Sequence, residues 1–151
     1  MKREYPFVGA ALLAWTIFIF CRSLKPAESS DLESQWVLEL LRKLFPFELS
    51  MHVIRKLAHF TEFAVLGGLA ELLFGRRRRT MLAGLMFSLL TGVVIALCDE
   101  TIQLFVPGRT GQVPDVWLDI AGAFAGAALI LTGRAAIARA HGRRKRDGPP
   151  T

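Results

Sequence analysis

Four stretches of this 151-residue chain are long and apolar enough to cross a lipid bilayer, and that limits the fold more than any other feature. A spanning helix needs about 17–25 mostly apolar residues, because the hydrocarbon is roughly 30 Å thick and an α-helix rises ~1.5 Å per residue. Residues 5–21 and 80–98 carry no charged side chain. Residues 57–75 are apolar except for His59, Glu62 and Glu71, and residues 116–133 except for Asp119. The expectation is an all-α membrane protein of four transmembrane helices in a bundle, one domain across residues 1–151. Composition agrees. Hydrophobic residues make up 52% of the chain and the mean hydropathy is +0.38, more than a water-soluble core of this size requires. The net charge of +6 and pI near 10.0 do not point to nucleic acid, because a nucleic-acid-binding domain has no use for several membrane-length runs.

The first stretch follows Lys2 and Arg3, as a secretory signal does. Phe20 before Cys21 is too bulky for a lipoprotein cleavage site, and no small-x-small pair follows closely, so residues 5–21 are read as an uncleaved span. Four spans place both termini on one side, together with the turn Arg76-Arg77-Arg78-Arg79. That side carries twelve of the 19 basic residues: Lys2, Arg3, the four arginines of the turn, and six from Arg134 to Arg146. Basic residues mark the cytoplasmic side. The expected protein is therefore multi-pass in a bacterial cytoplasmic membrane, with both termini cytoplasmic. Its basic tail, residues 134–151, reads as an anchor to anionic lipid in preference to an RNA-binding arm.

Two segments remain for the outer side. Residues 22–55 open polar and then show an apolar stripe of Leu32, Trp36, Leu40 and Leu44, flanked by Val37 and Leu41, with Ser30 and Glu33 as a capping box. The spacing predicts an amphipathic helix lying flat on the outer surface between spans one and two. Residues 99–115 contain Pro107, Gly108, Gly111 and Pro114 and read as a turn-rich loop. Cys21 and Cys98 end their spans on this side. A disulfide between them is geometrically conceivable, but two small buried thiols fit free cysteine better.

Helical geometry then gathers the polar residues. At 100° per residue, His52, Arg55, Lys56, His59 and Glu62 fall within about 120° of one helix face. Gly84, Ser88, Gly92 and Ala96 form a small-residue seam on the next span that leads outward to Asp99 and Gln103, with Glu100 beside them. On the last span Asp115, Asp119, Gly122 and Gly126 share a face, and Trp117 points the other way. All three clusters lie at the outer end and face the bundle, so they read as one site in which charge burial exceeds what packing requires. Glu71 reads as an interfacial partner of the arginine turn.

These residues resemble a known family. Arg55-Lys56-Leu57-Ala58-His59-Phe60-Thr61-Glu62-Phe63 and Asp99-Glu100-Thr101-Ile102-Gln103-Leu104-Phe105-Val106-Pro107-Gly108-Arg109 are similar to motifs of the VanZ-like membrane proteins. That family is named for a protein of glycopeptide-resistance gene clusters linked to teicoplanin tolerance. The similarity continues through Gly111, Asp115-Val116, Asp119, Gly122 and Gly126. Phe63 stands where relatives often have Tyr, and Pro114 replaces a commonly polar residue. The resemblance implies a cell-envelope role and no defined reaction.

Three classes of function fit. The first is binding or remodelling of an anionic lipid-linked or cell-wall component at the outer leaflet. Arg55, Lys56 and Arg109 would hold phosphate or carboxylate, with His52, Gln103, Asp115 and Asp119 around the ligand. The second is a membrane hydrolase or transferase acting on a lipid phosphate. There His59 is a general base oriented by Glu62, Asp99 and Glu100 assist, and a divalent cation sits among Asp99, Glu100, Asp115 and Asp119. The third is a small proton-coupled transporter, which a homodimer would complete. The expected partners are membrane lipids, with no nucleic acid.

Overall fold

The computed structural model describes residues 6–44, 50–77 and 80–146. Among them the secondary structure is wholly helical: α1 (Pro6–Ser23), α2 (Ala27–Leu44), α3 (Met51–Arg77), α4 (Met81–Gln103) and α5 (Val113–Arg146). By length and composition α3, α4 and α5 can each cross a membrane, and α1 supplies a fourth crossing when joined to the start of α2 across a 114° bend. The expected all-α bundle is present, with α2 turned aside between the first span and the second.

The helices are longer than the apolar runs that announced them. α3 begins six residues earlier than the run at 57, α4 continues through Asp99 and Glu100 to Gln103, and α5 runs without a break into the basic tail. Polarity ends an apolar run, but the backbone ladder of a helix does not depend on side-chain polarity. The loop expected from residue 99 therefore shrinks to residues 104–112. Gly108 has a φ of 75°, a left-handed turn that a Cβ would strain. Pro114 sits in the first turn of α5, where a missing N–H costs nothing.

α2 corrects the expected capping box. The helix starts at Ala27, and the Ser30 N–H donates to the Pro26 carbonyl at 3.2 Å, so Pro26 is the cap and Ser30 lies buried in the first turn. Leu32, Trp36 and Leu40 are exposed, while Val37 borders a groove beside α1 and α3. The side chains of Glu33, Leu41 and Leu44 lie outside the described residues, as do Lys2, Arg3, Arg78, Arg79 and the chain beyond Arg146.

Small residues let the spans touch backbone to backbone. A Cβ on Gly67 would stand 2.0 Å from the Ala123 carbonyl oxygen, and one on Gly126 would stand 1.8 Å from that of Ala64, so only glycine allows α3 and α5 to meet. The buried residues of α4 are Gly84, Ser88, Gly92, Ala96, Asp99, Glu100 and Gln103, the seam expected from the sequence. Ile19, Phe63, Leu66 and Ala96 form the apolar core, with Trp15 packed against it and donating its indole N–H to the Glu62 carbonyl at 2.9 Å. Trp117 is exposed, as expected. Cys21 and Cys98 are free, but they are exposed and not buried. An apolar solvent removes the reason to hide a thiol inside the protein.

Candidate functional site

The polar residues of α3, α4, α5 and the 104–112 loop meet at the α2 end of the bundle. Four residues of one α3 face (His52, Arg55, Lys56 and His59) line a cavity of about 100 Å³. Gln103, Arg109, Gln112 and Asp115 complete its polar wall. That volume is several times the roughly 10–15 Å³ that admits one water, room for a phosphate- or carboxylate-sized group. Lys56 Nζ pairs with Asp115 Oδ1 at 3.0 Å, each side chain about one-third exposed. Arg109 braces the α1–α2 corner: its Nε donates to the Lys25 carbonyl at 3.0 Å and its Nη2 to that of Arg22 at 3.4 Å.

Behind His59 lies a more deeply buried group. Asp99 and Asp119 are both fully buried. Asp99 is held from two sides, by the Ser23 hydroxyl on Oδ1 and by Gln103 Nε2 on Oδ2 at 2.9 Å. Neither carboxylate oxygen of Asp119 has a hydrogen-bond partner, and neither does His59 Nδ1. That nitrogen stands 3.7 Å from Asp119 Oδ1 and 4.0 Å from Asp99 Oδ2. Donor atoms of His59, Asp99 and Asp119 all lie within 4.8 Å of one another. Beside them Glu100 accepts the Gln112 N–H at 2.8 Å and a weaker contact from Gln103 Nε2 at 3.3 Å, which fastens the loop to α4.

The sequence profile of the VanZ/LLP1 family matches residues 8–135. The chain belongs to the VanZ/LLP1 family. No curated protein and no solved structure compared with it matches. The matched stretch of this VanZ/LLP1 protein contains every residue that walls the cavity and every member of the group behind it.

The site differs from the sequence expectation in its pairings. Glu62 was expected to orient His59, but its carboxylate pairs with Arg22 of α1 at 3.0 Å. The carboxylates beside His59 are Asp99 and Asp119. Of the four acids expected around a cation, Glu100 accepts from the Gln112 N–H and Asp115 pairs with Lys56, while Asp99 and Asp119 lie together with His59. Glu71 was expected at the arginine turn. It is instead fully buried, accepting from Ser88 at 2.9 Å and pairing with Arg134 of α5 at 3.2 Å.

Arg22, Ser23 and Gln112 were missed. Arg22 and Ser23 end the first span at the same end as the other polar residues, which is the one signal in the sequence that points to them.

Proposed function

We propose that this VanZ/LLP1-family membrane protein binds an anionic, lipid-linked component of the bacterial envelope at the outer leaflet and thereby contributes to glycopeptide tolerance. One observation carries the reading: a phosphate-sized cavity at one end of the bundle whose wall holds Arg55, Lys56, Arg109 and two histidines. Guanidinium groups meet phosphate or carboxylate with paired donors, and an ammonium meets it as a point charge. The excess of basic residues at the opposite end supports an outward-facing cavity.

A groove on the other side of α3, about 430 Å³ and lined mainly by apolar side chains including Trp15, Phe18, Ile54 and Leu57, supports the lipid character of the ligand. It gives an acyl or prenyl chain a place beside the bundle.

The test titrates a polyprenyl phosphate into the purified protein in detergent. Lys56→Ala should weaken binding about tenfold or more, since a charge-assisted hydrogen bond is worth roughly 1.5–3 kcal/mol. Loss of Lys56 with unchanged affinity and unchanged teicoplanin tolerance would end this reading.

A second reading, hydrolysis of a lipid phosphate, is favoured by His59, which belongs both to the cavity wall and to the carboxylate group behind it. Phosphate release from the same ligand should then vanish in His59→Ala. Equal release by that variant removes the reading.

A further inference from the structure

We infer that His59, Asp99 and Asp119 form a site for one divalent transition-metal ion, with Zn²⁺ or Mn²⁺ as the matching class. Asp119 is a carboxylate fully enclosed by protein, with no donor to either oxygen. Burying a carboxylate without a partner is among the most costly arrangements a fold can hold. Among the described residues no Lys or Arg pairs with Asp119 or with Asp99. Two enclosed acids and one imidazole converge there instead.

The distances suit an ion better than they suit hydrogen bonds. At 3.7 and 4.0 Å the His59 Nδ1 contacts exceed hydrogen-bond length. Two donors bound to one ion at about 2.0–2.2 Å stand roughly 3.4 Å apart in tetrahedral geometry and about 4.2 Å apart at most. The two His59 separations need a contraction of roughly 0.3–0.6 Å to reach the tetrahedral value, and all three donors already lie within 4.8 Å of one another.

The donors also fit the chemistry. One imidazole and two carboxylates are too few and too nitrogenous for Ca²⁺, which takes six to eight oxygens. Three protein donors leave a coordination position open. The surroundings supply what a metal site needs next: Ser23 and Gln103 orient the Asp99 carboxylate, as outer-shell partners do. The ion offsets the charge of both acids and ties α3, α4 and α5 together at the cavity floor.

The experiment strips the purified protein with chelator and then adds Zn²⁺, Mn²⁺ or Co²⁺. Elemental analysis should find one ion per chain, and Co²⁺ should give a visible absorption band from a low-coordinate site. Asp119→Asn keeps the shape of the side chain and removes its charge. It should weaken metal affinity by more than the 10–100-fold that losing an outer-shell partner such as Gln103 produces. Glu71→Gln, at the far end of α3, should leave affinity unchanged. Should Asp119→Asn fail to fold, Gln103→Ala gives a second reading, with the metal raising the melting temperature of the wild type more than that of the variant.

No ion retained by the wild type, or unaltered affinity in Asp119→Asn, overturns the inference. It does not depend on the lipid reading, and Lys56→Ala separates the two. A protein that takes up one ion but ignores polyprenyl phosphate supports this inference and loses the other; the reverse result loses this one.

Discussion

Glu71 and Asp119 are wholly enclosed carboxylates at opposite ends of the same bundle, and their surroundings differ. Glu71 receives the Ser88 hydroxyl and the Arg134 guanidinium, so its charge is matched by a cation and by a donor. Asp119 receives neither, and the His59 Nδ1 that stands 3.7 Å from it also lacks a hydrogen-bond partner. Both sit on seams of small residues, so helix packing alone does not require an orphaned acid. The matched cluster fastens α3, α4 and α5 together. The unmatched one leaves both carboxyl oxygens without a hydrogen-bond partner, and on that contrast the inferred metal site rests.

The largest effect should come from breaking the matched cluster. Arg134→Ala leaves the buried Glu71 carboxylate with the Ser88 hydroxyl but without its guanidinium, and unfolding in mixed micelles should show a loss of about 3–5 kcal/mol. Removing both partners, in Glu71→Ala with Arg134→Ala, should cost less than removing Arg134 alone. A loss below about 1 kcal/mol for Arg134→Ala would erase the contrast between the ends.

Next in size is the packing that holds both clusters in register. Gly126→Ala sets a methyl against the Ala64 carbonyl, and the same unfolding measurement should register roughly 1–3 kcal/mol of overpacking.

Asp119→Asn should move stability the other way. In chelator the variant should be more stable than the wild type by about 1–3 kcal/mol, because it replaces a buried carboxyl whose oxygens have no donor by an amide that can donate to the acid and imidazole beside it. Added Zn²⁺ or Mn²⁺ should reverse the order. Destabilisation in chelator would mean that Asp119 has a partner in the apo protein.

The smallest shift belongs to Gly133→Ala. Nothing lies within 4 Å of the added methyl in the interior of α5, so helix propensity should give a gain of about 0.5–1 kcal/mol. That result calibrates the packing loss at Gly126 on the same helix.

The sequence revealed whatever depends on one helix at a time. The α4 seam from Gly84 to Gln103 follows from three- and four-residue spacing, and all seven of its residues are buried. The outward face of Trp117 and the shared face of His52, Arg55, Lys56 and His59 follow the same way. Pairing between helices was not legible, because it depends on the rotation and depth of the neighbour. Glu62 lies near His59 in sequence and on the same side of α3, yet the approach of α1 places Arg22 against it. Glu71 and Arg134 are 63 residues apart, and no periodicity joins them. Helix ends were misplaced for a simpler reason. Asp99, Glu100 and Gln103 interrupt hydrophobicity without interrupting the backbone ladder, so α4 outlasts its apolar run.

The length of α5 has a mechanical consequence. Its 34 residues reach about 50 Å, against roughly 30 Å of hydrocarbon, so around a dozen residues stand clear of the lipid tails while still wound in the same rod. The Arg134–Glu71 pair clamps that rod near the point where it emerges. Arg139 and His141 are thus carried on a stiff post at fixed bearings instead of on a loose tether, and a load applied there is delivered along one unbroken shaft to the turn that bears Asp119.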